Sequence, residues 1–101
     1  MTLGEQLKAL REAQGLYQRH IAAKLEVDTA FISKVEKDEK RINRDHLTTL
    51  AKLFNIPEDD LQKLWLADKL YKIVEDEALA TEALHAAEEQ VIYRRTKKTD
   101  K

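Results

Sequence analysis

Leu3, Leu7 and Leu10 open this chain at intervals of three and four, the spacing of one helical face. Thr2 followed by Glu5 forms a capping box ahead of them, and Gly15 supplies a left-handed stop. The pattern resumes near Gln18 and runs to Leu25, with Ile21, Ala22 and Leu25 on one side. Asp28 then N-caps a third helix carrying Phe31, Ile32 and Val35. Asn43 is expected to cap a fourth, with Asp45 in its first turn and Leu47, Leu50, Ala51 and Phe54 facing inward. Asn55 suits the left-handed position that ends it. Pro57 opens a fifth helix, whose positive end is met by Glu58, Asp59 and Asp60.

The fifth helix carries two apolar stripes. Leu61, Leu64 and Trp65 share one face; Leu66, Leu70, Ile73 and Val74 share another, roughly opposite. One stripe suffices to pack on the preceding helices, so the second needs other cover. A last helix is expected over about residues 77–93, where Leu79, Ala80, Ala83, Leu84, Ala87 and Val91 form a single stripe. A lone helix of that length is not stable on amphipathicity alone, so it must dock on the fifth helix or on a second chain. Residues 94–101, RRTKKTDK, lack apolar periodicity and are expected to be disordered.

Composition agrees with an all-α protein: two Gly and one Pro in 101 residues, with Leu, Ala, Glu and Lys abundant. The organisation expected is a domain over residues 1–57, a helical extension over 58–93 and a basic tail over 94–101. The absence of cysteine excludes a disulfide framework and thiolate metal sites. His20, His46 and His85 have no metal-ligand spacing, so neither metal nor cofactor is expected. No apolar run approaches the ~20 residues of a membrane span. MTLGEQLKAL lacks the basic and apolar regions of a signal peptide, and a cytoplasmic protein is expected.

Net charge is −1, but the charge is unevenly placed. Residues 1–57 carry ten Lys/Arg against eight Asp/Glu; residues 58–93 carry three against ten; residues 94–101 carry five against one. A surface for nucleic acid can therefore lie only on the first segment or the last.

The segment 18–37, QRHIAAKLEVDTAFISKVEK, reads as two short helices joined by a tight turn. With Gln18 as the first of twenty positions, Ile21, Leu25, Val27, Ile32 and Val35 are apolar, and Ala22 is small where two helices cross. In the frame LREAQGLYQRHIAAKLEVDTAFISKVEK this resembles the repressor-type helix-turn-helix family of lambda repressor, Cro and the controller proteins of restriction–modification systems. The resemblance covers about residues 3–56. It departs at the turns: Tyr17 stands in place of a capping Ser or Thr, Glu26 in place of the turn glycine, Asp38 in place of a glycine after the third helix, and Ile42 in place of a proline.

The resemblance implies a five-helix lambda-repressor-like domain that reads double-stranded DNA. It places Thr29, Ala30, Ser33 and Lys34 at base edges, with Thr29 and Ala30 suited to a thymine methyl and Lys34 to guanine. It places Gln18 and Arg19 on a phosphate at a helix N-terminus, and Lys37, Lys40, Arg41, Asn43 and Arg44 on phosphates across the groove. Phe31 has two roles open to it, a contact with the sugar–phosphate wall or partial core burial. Arg11 and Glu36 resemble an ion pair tying the first helix to the third, a scaffold role.

The function expected is a homodimeric, sequence-specific transcriptional regulator on a pseudo-palindromic operator, of the restriction–modification controller or phage-repressor kind. Leu66, Leu70, Ile73 and Val74, with Leu79, Ala83 and Leu84, are the expected dimer interface. The alternative is an antitoxin-like or protein-interaction module using the apolar C-terminal helices. An enzyme is not expected: there is no phosphate-binding glycine loop, no metal cluster and no nucleophile–base pair at recognisable spacing.

Overall fold

The Glu5 N–H donates to the Thr2 hydroxyl at 3.1 Å, and the Thr2 N–H donates back to the Glu5 carboxylate at 2.8 Å. This reciprocal cap starts α1 (Leu3–Ala13) in the computed structural model, which describes residues 1–99. The backbone and hydroxyl bonds with Thr2 hold the Glu5 carboxyl below the usual carboxylate range. There follow α2 (Gln18–Leu25), α3 (Thr29–Glu36), α4 (His46–Phe54), α5 (Glu58–Val74) and α6 (Ala80–Thr99). The described residues are thus all-helical, as the spacing indicates.

Most of the punctuation is where the sequence places it. Gly15 has φ +67°, and Asp28 accepts the Phe31 N–H at 2.7 Å to cap α3. Three residues other than glycine take left-handed conformations: Glu26 (φ 57°), Asp38 (φ 64°) and Asn55 (φ 56°). The first two occupy the positions where the resemblance calls for glycine.

Three boundaries differ from expectation. α4 starts at His46 rather than directly after Asn43; the Asn43 side chain accepts the Asp45 N–H at 3.0 Å, capping a turn that leads into the helix. Asp45 occupies the N-cap position without a side-chain bond of its own. α6 starts at Ala80, because turns close between Val74 and Glu77 and between Glu77 and Ala80. Glu75, Asp76 and Glu77 crowd the negative end of α5, where acidic residues are unfavourable.

The third difference is the basic tail. Residues 94–99 are helical, correcting the expectation of disorder there; residues 100 and 101 lie outside the described residues. Arg and Lys are good helix formers, and Lys97 and Lys98 in the last turn complement the helix dipole.

The core is built by α1 to α5. Leu47, Leu50 and Leu61 are fully enclosed, surrounded by Leu3, Leu7, Ile21, Ala22, Leu25, Ile32, Val35 and Phe54. Phe31 is half-buried against this core. Ile42, outside every helix, is buried as well. Gly4 is buried where α1 meets the end of α3: a Cβ there would lie 2.3 Å from the Val35 carbonyl oxygen and 2.7 Å from Asp38 Oδ1. The Leu3 N–H donates to Asp68 Oδ2 at 3.0 Å, joining the start of α1 to α5.

The chain divides into two compact units, residues 1–69 and residues 70 onward. The first takes in the part of α5 that bears Leu61, Leu64 and Trp65, and so runs beyond residue 57. Along the second stripe Leu66, Leu70 and Ile73 are exposed and Val74 is half-buried; Leu79, Ala83 and Leu84 are exposed too.

Candidate nucleic-acid interface

The segment 18–37 folds as helix, turn and helix because its apolar residues are spaced to bury one face of each. Ile21, Ala22 and Leu25 of α2 meet Ile32 and Val35 of α3, and α2 packs directly on α3. The turn is closed by the Val27 N–H donating to the Ala22 carbonyl at 3.0 Å, past the left-handed Glu26. This fixes α3 with its remaining face outward. Thr29, Ala30 and Lys34 are exposed and Ser33 is half-buried, four residues that form one face across the first two turns.

Behind that face, Glu36 accepts three side-chain bonds. Arg11 gives two, Nε to Oε2 at 2.8 Å and an η nitrogen to Oε1 at 3.0 Å, and Gln18 Nε2 gives a third at 3.0 Å. Arg11 also donates to the Leu16 carbonyl at 3.0 Å. The Arg11–Glu36 pair is the scaffold tie expected from the sequence, with side chains only 12% and 5% exposed. Its hydrogen bonds raise the already high pKa of the Arg11 guanidinium. Gln18, read as a phosphate contact, is also a member of this network.

Tyr17 does not cap α2 with its hydroxyl, as its chemistry requires. The missing cap is partly replaced by a residue assigned no role from sequence. His20 Nδ1 accepts the Tyr17 N–H at 2.8 Å, the bond that a Glu makes in an ordinary capping box. Above it Arg19 stacks on the Tyr17 ring, with the guanidinium carbon 4.5 Å from the centroid. Arg11, Tyr17, Gln18, Arg19 and Thr29 together line a shallow open groove at the N-terminus of α2. Backbone N–H groups, the positive helix end and the Arg19 guanidinium make this a favourable position for an anion, while Arg11 is already paired with Glu36.

The remaining cations fall into two sets. Lys34, Lys37 and Lys40 are exposed and enter no ion pair among the described residues. Arg41 and Arg44 instead gather at Trp65, with guanidinium carbons 4.4 and 5.3 Å from the ring centroid. Asn43 is exposed between them, its side-chain oxygen committed to the Asp45 N–H. The role of Trp65 as a platform is invisible in the sequence, since the arginines lie more than twenty positions earlier and in no recognisable register.

No helix among the described residues is long and apolar enough to cross a membrane, and no group of His, Asp or Glu among them could hold a metal ion. The HTH-type transcriptional regulator ImmR of Bacillus subtilis (strain 168) is 34% identical over 61 residues, which cover 60% of this chain and 48% of that protein. The chain thus matches about half the length of this curated relative. A family model described as helix-turn-helix matches residues 7–61, the stretch that contains the Glu36 network, the outward face of α3 and the groove at α2. The chain belongs to the helix-turn-helix family.

Proposed function

We propose that this protein is a sequence-specific regulator of transcription that binds double-stranded DNA as a homodimer. The observation that carries this reading is the outward face Thr29, Ala30, Ser33 and Lys34 on α3, set beside the cationic groove at the N-terminus of α2. A helix presented in this way enters the major groove while the first helix of the motif contacts the backbone. Thr29 and Ala30 suit thymine methyl groups, Lys34 suits guanine, and Gln18 and Arg19 hold a phosphate. Lys37, Lys40, Arg41, Asn43 and Arg44 meet the opposite backbone, and Phe31 braces the sugar–phosphate wall with its exposed edge.

One such module makes few base contacts, so useful affinity comes from pairing two copies. The exposed apolar residues Leu66, Leu70, Ile73, Leu79 and Leu84 support a dimer, with Val74 and Ala83 beside them. Two recognition helices about 34 Å apart then read a pseudo-palindrome, as in phage repressors and restriction–modification controllers.

A salt titration on mixed-sequence duplex tests this reading. Affinity should fall steeply with salt in proportion to the phosphates neutralised. Lys34→Ala should relax base preference, whereas Lys40→Ala should weaken all sequences alike. Absence of binding at low salt rejects DNA as the ligand. The same apolar residues support the second reading, a protein-interaction module of antitoxin type, which predicts that outcome.

A further inference from the structure

Trp65 packs on the core, yet its indole is surrounded by positive charge. The Arg41 and Arg44 guanidinium carbons lie 4.4 and 5.3 Å from the ring centroid and the Lys69 Nζ lies at 5.5 Å. All three fall within the ~6 Å over which an aromatic face attracts a cation. One bond fixes the ring, and another ties Arg41 to the Trp65 backbone. The indole Nε1–H donates to the Ile42 carbonyl at 2.9 Å, and the Trp65 carbonyl accepts from Arg41 at 3.3 Å. Gln62, one turn earlier on α5, accepts from Arg44 at 3.5 Å.

Three like charges gathered on one ring repel one another. None of them forms an ion pair with a carboxylate among the described residues. Each cation gains from the ring face, yet together the three leave a cluster of positive charge with no carboxylate among the described residues paired to balance it. A polyanion laid across the three cations supplies the missing charge. Arg41 and Arg44 follow α3, while Lys69 stands one turn after Trp65 on α5, so the ring joins two separate elements into one cationic surface.

We infer that Trp65 is the platform of a clamp for the DNA backbone, and that Lys69 carries the DNA contact onto α5. The inference rests on the DNA-binding reading above. Lys69 and the two arginines touch phosphate. Trp65 is a positioning residue, which sets where the arginines stand and does not itself meet the ligand.

The test is the salt dependence of binding to a labelled mixed-sequence duplex, read by anisotropy on the full chain. Lys69→Ala should lower the slope of log K against log salt by about 0.9, the equivalent of one phosphate. Lys63→Ala removes the same charge from α5 away from the ring and should leave the slope unchanged. Trp65→Phe, which keeps an aromatic face, should retain the slope. Trp65→Leu, with helix content checked by circular dichroism, should lower it by more than Lys69→Ala.

If the unmodified chain binds duplex but Lys69→Ala leaves the slope intact, or lowers it no more than Lys63→Ala, the clamp is wrong and the DNA-binding reading stands. If the unmodified chain does not bind duplex at low salt, both fall together.

Discussion

Gln18 Nε2 donates to Glu36 Oε1 at 3.0 Å, so a residue proposed to face phosphate is oriented by the same carboxylate that anchors α1 to α3. The outer surface and the scaffold share one buried group.

Glu36→Ala should therefore cost about 3–5 kcal/mol in urea denaturation, the usual penalty for leaving a buried partner charge unpaired. Arg11 loses both carboxylate bonds and Gln18 loses its acceptor. Replacing Arg11 and Glu36 together by Met should cost much less than Glu36→Ala alone. Equal costs would show that the pair is not the source of the penalty.

Gly4 and Glu26 should respond in opposite senses. Gly4→Ala drives a methyl group into the Val35 carbonyl oxygen, and overpacking of this kind costs about 1–3 kcal/mol. Glu26→Gly relieves a left-handed residue at φ 57°. Its relief of about 1–2 kcal/mol is partly offset by the extra freedom of glycine in the unfolded chain, leaving a modest rise in stability. Thermal midpoints of the two variants against the parent check both signs.

The Thr2–Glu5 cap links stability to acid. Glu5 titrates lower in the folded chain than in the unfolded one, because Thr2 hydrogen-bonds its ionised form. Its contribution is thus complete above the ordinary glutamate pKa of about 4.3 and is lost as pH falls through the lower folded value. Thr2→Ala should reduce stability near neutrality by about 1 kcal/mol. Because the bond to the Glu5 carboxylate comes from the Thr2 backbone N–H, it is Glu5→Gln that should flatten the fall of the thermal midpoint on the acid side relative to the parent. Parallel acid limbs in Glu5→Gln and the parent would remove Glu5 from the account.

His20→Glu should separate stability from binding. Glutamate can keep the bond from the Tyr17 N–H and places negative charge at the positive end of α2, worth about 0.3–1 kcal/mol. The same charge stands beside the groove of Arg11, Gln18 and Arg19, where it should weaken duplex binding. A variant that is more stable and binds equally well would exclude this groove as a phosphate site.

The helices and most of the core were legible because each depends on local spacing, and the Arg11–Glu36 pair was legible only through the family resemblance, its partners standing 25 positions apart. Leu3, Leu7, Ile21, Ile32, Val35 and Leu50 are buried for the reason that their periodicity gives. What escaped was contact between residues remote in sequence or outside any helix. Ile42 is buried in a connection that has no periodicity to read, and the Trp65 platform depends on arginines far along the chain. His20 was missed because a neutral imidazole accepting a backbone N–H is a rarer cap than a carboxylate. The end of α6 was misjudged because solvated Arg and Lys sustain a helix without any apolar stripe.

The bond from the Leu3 N–H to Asp68 spans nearly the whole first unit, and Leu61, also on α5, is fully enclosed. During synthesis from the N-terminus, α1 to α4 leave the ribosome with an unfilled slot in their core and a loose first helix. Folding of the unit cannot be completed until α5 has emerged. A nascent chain halted just after Phe54 should therefore remain open to protease, and protection should arrive in a single step once Asp68 is free of the exit tunnel.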